Sequence, residues 1–361
     1  MSEHRTMKTT ATTNTHILFF VASWLRGPGS VLAVVLRALP IGTLLLSVAC
    51  QATDTSKGTA SGQPAPSNLT IAVIPKGTSH VFWQSIHAGA NQAAQELGVT
   101  VIWRWPLRED DRDAQVSEVE GFISRGVSGI VLAPLDESAL VAPVAEAKRH
   151  NIPVVIFDSG LDTEDFVSQV ATDNYRAGQA GAERIAQILG GQGKVGMVAV
   201  QPGAASTMLR EQGFEEAIRK SYPGIQIVDK RYGMADFAKS LGVTENMLTA
   251  HPDLDALFAS NESSTVGAAQ ALKGRKGKVQ LVGFDSSPTL IEDLQAGLID
   301  SLVVQDPFRM GYESVQAAVK KLQGGTPEKI NNLPPLVVTK ENLNEPAVQK
   351  QLKPDLEKYL K

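Results

Sequence analysis

The feature that most limits what this chain can become is a repeated series of short apolar runs that do not alternate with polar residues. They fall at 69–74, 99–104, 129–132, 153–157, 194–200, 225–231, 256–259, 279–284 and 301–304. A strand with one face in water alternates; a strand covered on both faces is apolar throughout. Helical stretches lie between the runs. Trp83, Ile86, Ala90, Ala93 and Leu97 recur every three or four residues, and Gly98 follows as a C-terminal stop. Further helices are expected over 138–150, ahead of Ile152 and Pro153, and over 175–189, ahead of Gly190 and Gly191. Repeated strand–helix units of this kind build parallel, doubly wound sheets. Nine such strands are many for one sheet, so the pattern predicts two consecutive α/β lobes.

Composition narrows the function. The chain has 361 residues, 43% of them hydrophobic and 20% charged, with a formal net charge of -4. That balance argues against a nucleic-acid binder, which normally carries a basic stripe. The single cysteine, Cys50, rules out an intrachain disulfide and a cysteine-based metal site. With six histidines and no His-Glu-x-x-His pair, neither a metal nor a cofactor is expected. No helix-turn-helix segment precedes the first strand, which removes the simplest form of a transcriptional repressor.

The N-terminus reads as outside the fold. After a polar start carrying Arg5 and Lys8, apolar residues 17–25 are interrupted by Arg26, a Gly-Pro-Gly run and Arg37. The apolar run 38–49 then ends at Cys50. It is shorter than the roughly 20 residues that span a bilayer and suits the apolar region of a signal peptide. Small residues before a cysteine, followed by a polar stretch, resemble a bacterial lipoprotein signal, with Ser47 where leucine is usual. Residues 1–50 are therefore expected to be the signal with lipidation at Cys50, and 51–67 a flexible linker. The other reading of Cys50 is a buried cysteine in an ordinary membrane anchor.

In open parallel sheets ligands sit at the carboxyl ends of the strands, and the polar residues that look out of place cluster there. Lys76, His80, Phe82 and Trp83 follow the first strand. Asp158 and Ser159 follow 154–157, and Arg210 lies in the segment after 194–200. Asn261 follows 256–259, Asp285 follows 279–284, and Gln305 follows 301–304. Each has an ordinary reading: Asp, Asn and Ser cap helices and form turns, Trp83 fits the apolar stripe of its helix, and Arg210 suits a solvated helix face. Repetition in both halves favours convergence on a cleft. Carboxylates accept two hydroxyl protons, amides donate and accept, a guanidinium donates as a fixed fork, and aromatic faces cover the C–H side of a sugar ring. No GxSxG, P-loop or GxGxxG is present, and GGQGKV at 190–195 lacks the Ser or Thr a phosphate cradle needs. Asp158 and Asp285 as an acid–base pair would make an enzyme, but nothing else supports that, and no catalytic residue is assigned.

The segments IAVIPKGTSHVFWQSIHAGA, GIVLAPLD, IPVVIFDSG, VATDN, REQGF, LTAHPDLDALFASNESS, VGFDSSP and VVQDPFRMGYESV occur in the order and spacing of one family. Over about residues 68–340 the chain resembles the type I periplasmic solute-binding proteins of ribose- and galactose-type ABC importers. The resemblance implies two Rossmann-like lobes joined by three crossings, near Thr172, Asp306 and Leu333, that close on a sugar. The lobes would be 68–172 with 306–333, and 173–305 with 334–361. It implies a pocket with Phe82 and Trp83 as the aromatic pair, His80 as the polar position before them, Asp158 and Asp285 as hydroxyl acceptors, Arg210 as the guanidinium, and Asn261 and Gln305 as the amides. Three positions depart from the ribose pattern. Ser159 stands where arginine is usual, Lys76 where a small polar residue is usual, and Ala235 where the second lobe carries an aromatic, with Phe237 nearby. The IPK start, the 232–241 run and the Asp-Ser-Gly at 158–160 look closer to rhamnose-type and furanosyl quorum-signal receptors, in which the lysine reaches the ligand.

The resemblance thus implies a monomeric, lipid-anchored extracytoplasmic protein that hands a sugar or sugar-like ligand to an inner-membrane ABC permease, with no nucleic-acid partner. The alternative is a sensory receptor with the same lobes, coupled to a membrane kinase or chemoreceptor.

Overall fold

A computed structural model describes residues 69–360, apart from 79, 105–107 and 276. The expected signal at 1–50, the lipidation at Cys50 and the linker at 51–67 lie outside the described residues. In chain order the elements begin with β1 (Thr70–Ile74), α1 (Val81–Leu97), β2 (Thr100–Trp103), α2 (Arg112–Ser124), β3 (Gly129–Leu132), α3 (Val141–Arg149), β4 (Val154–Phe157) and β5 (Ser168–Thr172). Then follow α4 (Asn174–Leu189), β6 (Gly193–Ala199), α5 (Ala205–Ser221), β7 (Ile225–Tyr232), α6 (Phe237–Ala250), β8 (Ala256–Ala259) and α7 (Glu262–Leu272). The chain continues with β9 (Gln280–Phe284), α8 (Pro288–Ala296), β10 (Ser301–Val304), α9 (Pro307–Leu322), β11 (Ile330–Leu333), β12 (Leu336–Thr339), α10 (Pro346–Leu352) and α11 (Leu356–Tyr359).

The strands form two six-stranded sheets with matching orders, β11-β5-β4-β3-β1-β2 and β12-β10-β9-β8-β6-β7. All neighbours pair in parallel except β10 and β12, which run antiparallel. The two α/β lobes are thus copies of one topology, each with an apolar layer on both faces of its sheet. This is why the strand runs lack alternation. Three strands did not stand out in the sequence: β5 (SQVAT), β11 (INNL) and β12. The first two carry polar side chains, and β11 and β12 sit at sheet edges, where one flank needs no apolar cover.

Each lobe takes a helix from the strand series of the other. The helix after β5, α4, packs on α5 and the second sheet; the helix after β10, α9, packs on α1 and the first sheet. Both crossings are made close by glycine. A Cβ on Gly89 of α1 would sit 1.9 Å from the Phe308 carbonyl oxygen of α9, and one on Gly178 of α4 would sit 1.9 Å from the Arg210 carbonyl oxygen of α5. The second contact holds the helix that carries Arg210 against the lobe's inner edge. The chain passes between the sheets after Thr172, after Val304 and between Leu333 and Leu336. It reaches across once more at the end. Val348 of α10 is buried in the second lobe's core, while α11 packs on α1 of the first, where Asn91 Nδ2 donates to the Tyr359 carbonyl oxygen at 2.8 Å.

Candidate ligand-binding site

The strand ends of the two sheets face each other, and side chains from both lobes meet between them. On the first lobe, β1 runs into Pro75 and Lys76 before α1 begins. Lys76 is only 5% exposed; its Nζ lies 2.6 Å from Asp158 Oδ2 and 3.0 Å from Ser206 Oγ of the second lobe. Ser159 Oγ donates to the same Ser206 Oγ at 2.8 Å. Ser206 thus ties two expected residues of the first lobe to the start of α5.

His80 Nδ1 lies 2.8 Å from Glu109 Oε1, which also accepts from Trp83 Nε1 at 2.6 Å. Burial alone would lower the His80 pKa, but the Glu109 carboxylate, with Glu262 and Asp285 behind it, raises it to about 9. His80 is therefore an imidazolium at neutral pH, and its buried Nε2–H has no partner. Burial would raise Glu109, yet its pairing with His80 and Trp83 and the charge of Lys76 hold it below the usual carboxylate range. Phe82 and Trp83 meet edge to face, with centroids 4.9 Å apart, and both also belong to the first lobe's core.

On the second lobe Arg210 is 2% exposed. Its Nε donates to Asn174 Oδ1 at 2.8 Å, its Nη1 to the Ser260 carbonyl oxygen at 3.0 Å, and its guanidinium lies 4.0 Å from the centre of the Phe284 ring. It is a buried cation, with burial opposed by the charges of Asp285 and Asp158, and not the solvated helix residue of the ordinary reading. Asn261 does serve as a helix cap, its Oδ1 accepting from Ser264 N at 2.9 Å. Asp285 Oδ1 accepts from Gln305 Nε2 at 2.7 Å, Gln305 Oε1 accepts from Thr172 Oγ1 at 2.7 Å, and Asp285 Oδ2 accepts from Glu262 N at 2.9 Å. Burial raises the Asp285 pKa, opposed by Arg210 and Gln305.

All the expected residues except Ser159 and Ala235 line one cavity of about 30 Å³, together with Glu109, Ser206 and Thr207. Ser159 stands behind Ser206. Ala235, expected at the aromatic position, lies off the cavity in the turn before α6, with a left-handed φ of 53°. Its methyl is too short to reach inward; the nearby Phe237 ring instead meets His80 edge-on at 5.1 Å. A volume of 30 Å³ is the share of one water molecule. A sugar can enter only if the lobes part or the Lys76–Asp158 contact yields. The lobes also touch along the outer rim, where Gln201 Nε2 donates to the Glu109 carbonyl oxygen at 2.8 Å and Glu137 N to the Gly203 carbonyl oxygen at 3.0 Å.

Sequence reasoning missed Glu109, Ser206 and Glu262. Glu109 belongs to the run Arg-Glu-Asp-Asp at 108–111, which reads as a solvated loop. Ser206 is one of several small residues in 203–207, and Glu262 reads as an ordinary acidic residue in the first turn of α7.

Known proteins agree with this architecture. Residues 71–326 match the family described as periplasmic binding protein domain. The D-allose-binding periplasmic protein of Escherichia coli K12 is 31% identical over 264 residues, which cover 70% of this chain and 85% of that protein. The ribose import binding protein of Bacillus subtilis 168 is 29% identical over 81% of this chain and 94% of its own. A carbohydrate transporter solute-binding protein from Agrobacterium radiobacter, solved in complex with D-arabinose, superposes with a TM-score of 0.78 at 32% identity, over 80% of this chain and all of that one. One from Agrobacterium vitis with bound D-fucose gives 0.77 at 34% identity, over 79% of this chain and all of that one. The names of these relatives carry ribose, allose, arabinose and fucose, not the rhamnose-type or furanosyl ligands expected from the IPK start. The chain belongs to the type I periplasmic binding proteins, in their sugar-binding branch.

Proposed function

We propose that this chain is the extracytoplasmic solute-binding protein of an ABC importer, capturing a pentose- or hexose-like sugar between its lobes and presenting it to an inner-membrane permease. The observation that carries the reading is the convergence of Asp158 and Asp285, from matching places in the two lobes, on one cavity walled by Phe82 and Trp83. In this reading the two carboxylates accept sugar hydroxyls, Arg210, Asn261 and Gln305 complete the polar set, and the free Nε2–H of His80 donates to a ring or hydroxyl oxygen. Lys76, now paired with Asp158, turns to the ligand and separates this site from a plain ribose site, while Ser159 acts through Ser206. The relatives support a sugar as ligand: their names specify ribose, allose, arabinose and fucose. Ligand contacts to both lobes would shift an open–closed equilibrium, and the closed form would dock on the permease.

The protein would work as a monomer tethered through a lipid on Cys50 and would release its sugar chemically unchanged. Calorimetry against D-ribose, D-allose, D-arabinose, D-fucose, L-rhamnose and the furanosyl signal tests the reading. At least one should bind and be recovered intact. No binding at millimolar concentration, or turnover of the sugar, would overturn it.

A further inference from the structure

Helix α1 begins without a cap of its own. Its N-cap residue, His80, has extended backbone angles of φ -93° and ψ 146° and makes no capping bond, and the first turn holds no acidic residue. The first free N–H groups are satisfied from the other lobe. Val81 N donates to Glu262 Oε1 at 3.3 Å and Phe82 N to Glu262 Oε2 at 3.2 Å. Glu262 is the first residue of α7 and only 4% exposed. Its own helix does not need it there, because Asn261 caps α7 and the Glu262 N–H is held by Asp285. Its carboxylate therefore sits between the positive ends of two helices from different lobes, and both of its hydrogen bonds cross the cleft.

We propose that Glu262 is a lobe-positioning residue: it caps α1 in trans, so the closed arrangement is the one in which the first turn of α1 is satisfied. Parting the lobes returns both N–H groups and the carboxylate to water. The contact involves no sugar, so it biases closure whatever the ligand is. The proposal shares with the preceding reading only the premise that the lobes move, and its test is made without ligand. Two charge-assisted bonds to backbone N–H groups shift the equilibrium by roughly tenfold or more. His80 adds to the attraction from the α1 side, while Asp285 opposes it.

The test is a pulsed-EPR distance measurement on the ligand-free full chain at pH 7. Cys50→Ser leaves labels only on cysteines introduced at the exposed positions Glu120 of α2 and Glu245 of α6. Glu262→Ala should lower the ratio of short to long distances about tenfold, and Glu262→Gln, which keeps one acceptor oxygen, should lower it less. Val81→Pro removes one donor at the first helical position, where proline is well tolerated and the extended His80 suits a following proline. It should lower the ratio a few-fold alone and add nothing to Glu262→Ala. Unchanged distances in Glu262→Ala, full additivity of the two substitutions, or a wild-type protein showing only the long distance would each overturn the proposal. If circular dichroism shows Glu262→Ala unfolded, Val81→Pro decides alone, an unchanged ratio counting against the clamp.

Discussion

Asp158 and Asp285 hold the same place in the two lobes. Each directly follows the buried phenylalanine that ends the fourth strand of its sheet, and each has a left-handed backbone, with φ of 59° and 66°. A non-glycine residue pays for that conformation and keeps it only where its surroundings hold it. Here the turn brings each carboxylate back over its sheet end. Lys76 holds one and Gln305 with Glu262 N–H holds the other.

Asp285→Ala should abolish sugar binding in a titration calorimeter. It removes an acceptor of charge-assisted bonds worth about 1.5–3 kcal/mol each, so losing two costs at least 100-fold in affinity. Asp285→Asn, which keeps the shape, should bind weakly but measurably.

Lys76→Met should destabilise the fold even without ligand. It leaves the Asp158 carboxylate, 3% exposed, with no cation at 2.6 Å. Breaking a buried ion pair from one side costs roughly 3–5 kcal/mol, readable in urea unfolding. Adding Asp158→Asn should restore most of the loss.

Stability should fall as pH rises from about 4.5 to 9. His80 is raised to about 9 from an ordinary 6.5, so its contribution is complete below 6.5 and is lost as pH climbs to 9. Glu262 is raised to about 7 from 4.5, chiefly by burial, with Asp285 adding to it; its contribution is complete below 4.5 and is lost by pH 7. Asp285, also raised by burial, slopes the same way, and the lowered Glu109 weakens the structure only in acid. The His80 share is on the order of 3 kcal/mol. Thermal midpoints from pH 5 to 9 should show the decline, and His80→Gln should flatten it above pH 6.5.

Gly89→Ala should cost about 1–3 kcal/mol, because a Cβ 1.9 Å from the Phe308 carbonyl oxygen forces α1 and α9 apart. Denaturant midpoints measure the loss.

Removing residues 354–361 should favour the open form, because α11 fastens the end of a segment rooted in the second lobe onto α1 of the first. The helix is short and half-buried, so the shift should be modest, about 2–5-fold in the closed fraction by the same interlobe distance measurement, roughly what one hydrogen bond supplies.

The sequence by itself determined the fold class and the strand ends that bear the polar residues. Both are local: apolar runs without alternation require sheets covered on two faces, and Asp158, Arg210, Asn261, Asp285 and Gln305 stand immediately beyond such runs or in the loop and helix that follow them. Family motifs supplied the reading of those positions as one sugar cleft. What only the tertiary structure decided lies across the cleft. The partner of Glu262 is the start of a helix some 180 residues earlier in the chain, Glu109 is drawn from a charged loop to hold His80, and Ser206 joins Lys76 to Ser159. A first-turn glutamate, a charged loop and a serine among small residues look the same in sequence wherever they point. Their roles are set by which lobe edge comes to face them, and the packing of the whole chain sets that.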